Sequence, residues 1–154
     1  MSVILWIFLI IGVAIAFIPQ LIAFRYQEYT QAELAKKFPE YETINLSFIG
    51  YFTVFLVVMI PTALWVFNLE RTYFEIIIPV WLAIIFSGLG MTYGLFAVRK
   101  GVYPVSKYFF GSTRYAYSED NKVVRLGQSQ IKASFIYFAL AIFASLIRLL
   151  LYIF

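Results

Sequence analysis

One ionisable side chain lies well inside an apolar run. Arg148 sits six residues before Phe154, in a stretch from Ala133 onward that contains no other charge. A charge placed there is a candidate for substrate or ion handling, and a ring of such arginines in an oligomer would favour anions. Six residues of helix rise only roughly 9 Å. Arg148 is therefore also near enough to the chain end to extend toward an aqueous interface, or to pair with Glu70 or Glu75.

The remaining chemistry is narrow. The chain has no Cys and no His, which removes thiolate nucleophiles, disulfides, histidine bases and the usual zinc and haem ligands. Basic and aromatic residues mix between positions 99 and 130, where Arg99, Lys100, Lys107 and Arg114 accompany Tyr103 and Tyr108. Those four cations suit a lipid phosphate, but no convincing general base accompanies them. Glu119 and Asp120 are adjacent on a turn-like stretch, so their side chains diverge. Gly127-Gln128-Ser129-Gln130-Ile131 begins like a nucleophile elbow and lacks its final glycine. A phosphate-binding Gly-x-x-x-x-Gly-Lys sequence is absent. No catalytic residue, cofactor or metal is expected.

The elements that must carry these residues follow from composition. Of 154 residues, 63% are hydrophobic and 13% charged, against roughly half and a quarter in an ordinary soluble domain. The apolar residues fall into four blocks, at about 3–24, 46–67, 76–98 and 131–154, each near the roughly 20 residues needed to cross a bilayer as helix. The blocks are continuous rather than alternating, which favours helices over a barrel. The expectation is an all-α integral membrane protein: a single four-transmembrane-helix bundle over 1–154, with no cleaved leader and with longer polar loops at 25–45 and 99–130.

Lys and Arg set the orientation. The first loop carries Arg25, Lys36 and Lys37; the second carries Arg99, Lys100, Lys107, Arg114, Lys122 and Arg125. The short 68–75 connection carries only Arg71. Both longer loops are thus expected in the cytoplasm, against anionic inner-leaflet headgroups, with both termini outside. Trp6, Trp65 and Trp81 fall near the outer ends of their blocks, where indole favours the interface. The net charge of +4 comes without a basic recognition helix, so nucleic acid is not an expected partner.

Small residues mark where helices can meet. In the third block Ala83, Ser87, Gly90, Gly94, Ala97 and Gly101 recur at three- and four-residue spacing. This stripe serves either packing within the bundle or docking of a partner. Gly12, Ala16, Pro19 and Ala23 form a shorter stripe in the first block. Ser134, Ala141 and Ser145 form one in the last. Pro19 should free the carbonyl of Ile15, and Pro61 that of Val57, with Gln20 and Thr62 as nearby polar groups. Pro79 reads as a first-turn proline, where it does no harm.

In the first loop, Thr30-Gln31-Ala32-Glu33 reads as a capping box opening a short helix that Pro39 ends. In the second, a turn at 118–122 separates 113–117 from 123–126 and predicts a small hairpin. Asn45-Leu46-Ser47 matches a glycosylation sequon, but on the cytoplasmic side.

The function expected from these features is binding rather than catalysis. The chain reads as a small accessory subunit of a membrane complex, or an immunity-type protector, in a bacterial cytoplasmic (inner) membrane. It resembles membrane-embedded immunity proteins only in outline: small, multi-span and without motifs. An oligomeric channel or small-solute transporter is the alternative, with Gln20, Thr62, Ser87, Thr92, Ser134, Ser145 and Arg148 as the polar residues available. A lipid-modifying enzyme ranks third. Small multidrug transporters also have four spans, but depend on a carboxylate in the first, and here that span has none.

Overall fold

The computed structural model describes residues 3–105 and 113–154. Four helices are long and apolar enough to cross a membrane: α1 (Val3–Ala23), α3 (Ile44–Phe67), α4 (Arg71–Lys100) and α5 (Lys122–Ile153). A short helix α2 (Gln31–Lys37) and a 3-10 turn (Pro39–Tyr41) lie between α1 and α3. Three short strands, β1 (Gln27–Tyr29), β2 (Val102–Val105) and β3 (Arg114–Tyr117), complete the elements among the described residues.

The long helices keep their apolar side chains on the outside. Ile10, Leu21, Val54, Val57, Leu64, Phe135, Phe143 and Leu150 are among many large hydrophobics left exposed. A water-soluble monomer rarely shows so much contiguous apolar surface, and an integral membrane protein is the simplest account of it. What the bundle buries is mainly small or polar. α1 hides Gly12, Ala16 and Ala23, and α5 hides Val123, Gly127, Gln130, Ser134, Tyr137 and Ala141. The α5 positions alternate steps of four and three, the spacing that keeps one seam facing a neighbour.

Two helices run longer than their apolar blocks. α4 has 30 residues and α5 has 32, roughly 45 Å and more at helical rise, against about 30 Å of hydrocarbon. α4 begins at Arg71 rather than near position 76. α5 begins at Lys122 rather than 131, because its amphipathic first turns find Val123 and Leu126 a place in a buried cluster.

That cluster corrects the expected hairpin. Residues 123–126 are helix, and β3 instead pairs antiparallel with both β2 and β1, giving the order β1-β3-β2. Glu28 and Tyr103 both lie opposite Ala116. The two polar loops, far apart in sequence, thus close into one cap. One set of its side chains packs Tyr29, Leu34, Tyr41, Ile44, Phe96, Val102 and Tyr115. The other packs Ala23, Ala97, Tyr103, Val105, Ala116 and Val123. Pro104 is tolerated because β2 is an edge strand.

The capping box forms as its residues dictate. Thr30 Oγ1 accepts from the Glu33 N–H at 3.3 Å, and Glu33 Oε2 accepts from the Thr30 N–H at 2.7 Å. This bonding holds the Glu33 carboxyl below its ordinary range. Gly101 ends α4 at φ 72°, its N–H on the Ala97 carbonyl at 2.9 Å, a left-handed cap that glycine adopts without steric cost.

Candidate functional site

The small-residue stripe of α4 is occupied within the chain. Ala83, Ser87, Gly90, Gly94 and Ala97 are buried, and Gly101 stands apart as the helix cap. At Gly94 a Cβ would lie 2.8 Å from the Gly127 carbonyl oxygen and 2.8 Å from the Ile131 side chain. At Gly127 a Cβ would meet Ala97 and the Gly94 carbonyl, also at 2.8 Å. α4 and α5 therefore touch backbone to backbone, which only glycine on both sides permits. Higher up, a Cβ on Gly90 would collide with Ser134 Oγ, and Ser87 Oγ–H donates to the Ser134 carbonyl at 2.9 Å. Gly127 was missed as a packing residue. Its signal was the spacing 127, 130, 134, 137, 141, interrupted in hydropathy by Gln130.

Polar side chains of α5 then tie the neighbouring helices, and two ties end on carbonyls that a proline has freed. Pro19 has no N–H to offer Ile15, and Gln130 Nε2 donates to the Ile15 carbonyl at 3.3 Å. The same amide accepts from the Tyr103 hydroxyl at 2.8 Å, so one buried side chain joins α1, α5 and β2. Gln20, the expected neighbour, is not the group that serves there.

Pro79 repeats the arrangement at the opposite end of the bundle. It lies eight residues after Arg71, inside α4 and not in the first turn as expected, so it frees the carbonyl of Glu75. Arg148 Nη1 donates to that carbonyl at 2.7 Å. Arg148 thus meets Glu75, one of its two expected partners, at the backbone carbonyl, and the Glu75 carboxylate lies 3.6 Å from Arg71 Nε. Between these ties, Tyr137 O–H donates to the Phe8 carbonyl at 2.7 Å.

The third proline has no such tie from α5. Thr62 Oγ1 reaches the carbonyls of Val58 and Met59 at 3.1 and 2.9 Å, not the freed carbonyl of Val57. The polar residues named for a shared pore divide similarly. Thr92 bonds back to its own helix at Gly88, Ser87 and Ser134 lie buried inside the α4–α5 seam, and Ser145 Oγ is buried without a hydrogen-bond partner.

The cap holds its tyrosines by their hydroxyls. Tyr115 O–H donates to Asn45 Oδ1 at 2.6 Å, and Tyr41 O–H to the Lys100 carbonyl at 2.8 Å. Gln31 bridges the Glu42 carbonyl and the Asn45 N–H. Asn45, the sequon residue, is thus part of the cap's bonding. Burial pushes the Tyr103, Tyr115 and Tyr41 hydroxyls above the ordinary phenol range. Lys37 Nζ donates to the Tyr29 hydroxyl oxygen at 3.1 Å, which raises the lysine.

The basic-aromatic group is therefore split. Arg99 and Arg114 are exposed and Lys100 is half-buried. Tyr103 does not face lipid or a partner as expected: it is fully buried, because β2 lies between β3 and the helices and Gln130 holds its hydroxyl. Lys107 and Tyr108 lie outside the described residues.

No family model, curated protein or solved structure matches this chain.

Proposed function

We propose that the chain crosses a bacterial cytoplasmic membrane four times, with both termini outside and the cap in the cytoplasm, and that it works by binding another membrane component rather than by catalysis. An accessory subunit of a membrane complex or an immunity-type protector fits this role. The orientation rests on the concentration of Lys and Arg in the two loops that build the cap.

One observation carries the binding reading: four interior polar side chains fasten elements of the chain to one another. Gln130, Tyr103, Tyr137 and Ser87 each donate to, or accept from, a group on another element of the same chain. Such an interior favours a fixed body that presents its surface. The stripe at Ala83–Ala97 is inside that body, so a partner has to use another face.

Two glycines separate fold from partner. Gly90→Leu would drive a side chain into Ser134, whereas a Cβ at Gly50 on α3 meets nothing within 4 Å. The chain is to be extracted gently in nanodiscs at native expression, and its mass and companions identified. The expected result is a heteromeric complex, destroyed together with the fold by Gly90→Leu. A partner seated on α3 would be lost with Gly50→Leu while the chain stays folded. A homo-oligomer with no companion and measurable ion flux would overturn the reading in favour of a channel.

A further inference from the structure

Of the three prolines inside long helices, two free a carbonyl that α5 answers: Gln130 serves Ile15, and Arg148 serves Glu75. Pro61 breaks that pattern. It has no N–H for the Val57 carbonyl four residues earlier, and no side chain among the described residues bonds to that oxygen. Thr62 Oγ1 donates to the Val58 and Met59 carbonyls, and Thr53 Oγ1 to that of Ile49. A helical carbonyl points toward the residue four places on. Val57 is 65% exposed and Pro61 is exposed too, so this oxygen lies on the outward face of α3. On the membrane-spanning reading it is also deep. Val57 comes thirteen residues after Ile44 and ten before Phe67, roughly 20 Å and 15 Å at helical rise. Hydrocarbon supplies no donor at that depth, and an open acceptor there is costly.

The surface around that oxygen is spaced for a helix. Leu46, Gly50, Thr53, Val57, Ile60 and Leu64 are all exposed. They succeed one another in steps of four and three, the spacing that holds one seam against a neighbouring helix. On α5 the same spacing is filled by α4. On α3 the residues that are buried, Ile44, Met59 and Val66, fall on the opposite side of the helix from this seam. A Cβ on Gly50 meets nothing within 4 Å, so the seam has room there for a backbone to come close.

A second copy meeting α3 through the same seam does not answer the carbonyl. The Lys and Arg bias gives every copy one orientation, so two α3 helices would meet parallel and at equal depth. From Val54 to Pro61 the helix carries no donor side chain. We propose that α3 is the docking helix of this protein, and that its partner is a transmembrane helix of a different protein. That helix carries a hydroxyl or amide donor at mid-bilayer, bonded to the Val57 carbonyl. The partner does for α3 what α5 does for α1 and α4. This proposal rests on the binding reading above and names the surface and the chemistry that the partner must have.

The test places a photo-crosslinking residue at Val57 of the full chain in native membranes and sequences the crosslinked peptide by mass spectrometry. The expected product joins position 57 to a transmembrane helix of another protein, beside a Ser, Thr, Asn or Gln. The same crosslinker at Leu140, exposed on α5, should not give it. Pro61→Ala returns an N–H to the Val57 carbonyl at an exposed position. It is expected to lower recovery of the partner roughly three- to tenfold, the effect of one interhelical hydrogen bond. Replacing the partner's donor by Ala should weaken the wild-type complex equally and the Pro61→Ala complex no further, which separates the hydrogen bond from a change in helix shape. Unchanged or raised thermal unfolding in detergent identifies Pro61→Ala as folded. Equal recovery by wild type and Pro61→Ala would overturn the proposal, as would a crosslink to a second copy of the chain or to lipid alone. A heteromeric complex indifferent to both Pro61→Ala and Gly50→Leu would sink the α3 site and leave the binding reading standing. Absence of any companion would remove both.

Discussion

Gln130 and Arg148 perform the same task at opposite ends of α5, in different surroundings. Each donates to a carbonyl that a proline has freed, Ile15 in α1 and Glu75 in α4. Gln130 is buried, and its other amide atom is engaged by Tyr103. Arg148 works at an exposed rim beside an open cavity. A neutral amide can be enclosed because a few hydrogen bonds satisfy it. A guanidinium enclosed the same way would have to be stripped of water at a much larger cost. The comparison teaches that the charged tie stands at an exposed rim, and the neutral one where its own side chain is enclosed.

The largest effect is expected from Gln130→Leu. It leaves both the Ile15 carbonyl and the Tyr103 hydroxyl without a partner in a buried place, at about 1–3 kcal/mol for each such group. Thermal or denaturant unfolding in detergent measures the loss. Pro19→Ala should blunt it, because an alanine N–H can serve Ile15 directly. A double-mutant cycle with no coupling between the two sites would break the account of this tie.

Alkaline pH should loosen the same end next. The Tyr103 and Tyr115 hydroxyls are raised above the phenol value by burial. The unfolded chain therefore releases their protons first, from about pH 10, and stability falls as pH rises beyond that point. Hydrogen exchange in β2, β3 and α2 should quicken there before exchange in the middle of α5. Simultaneous loosening at both ends would contradict the contrast.

Arg148→Met is expected to have the smallest effect, about 1 kcal/mol, since water can satisfy the Glu75 carbonyl at an exposed rim. Pro79→Ala should again reduce the loss. An effect as large as that of Gln130→Leu would mean that the Glu75 carbonyl is as closed to water as the groups around Gln130.

How much of this was legible in the sequence depends on the range of the interaction. The capping box needed only Thr30 and Glu33, three residues apart, and formed as read. The Pro19 defect was predictable because a missing N–H acts on its own helix, but the group that answers it, Gln130, is 115 residues away. Residues 113–117 carried a strand signal and β3 formed there. The wrong partner was assigned because the nearest following apolar run, 123–126, was already the start of α5. The Pro79 defect was hidden by placing the third helix at the edge of its apolar block, when the polar residues from Arg71 onward also take helical form.

The sequence by itself determined the four long apolar helices, the absence of thiol and imidazole chemistry, the capped helix in the first loop and the gathering of basic residues into two loops. All of these are set by local composition and spacing. Only the tertiary structure decided that the two loops share one sheet and that the glycines of α4 face Gly127. It also decided that Tyr103 turns inward and that Gln130 and Arg148 close the carbonyls opened by prolines on other helices. The physical reason is that each of these depends on which backbone groups come within hydrogen-bonding or van der Waals distance. Hydropathy records the wish of a segment to leave water, and it does not specify which neighbour will satisfy a polar atom once it has done so.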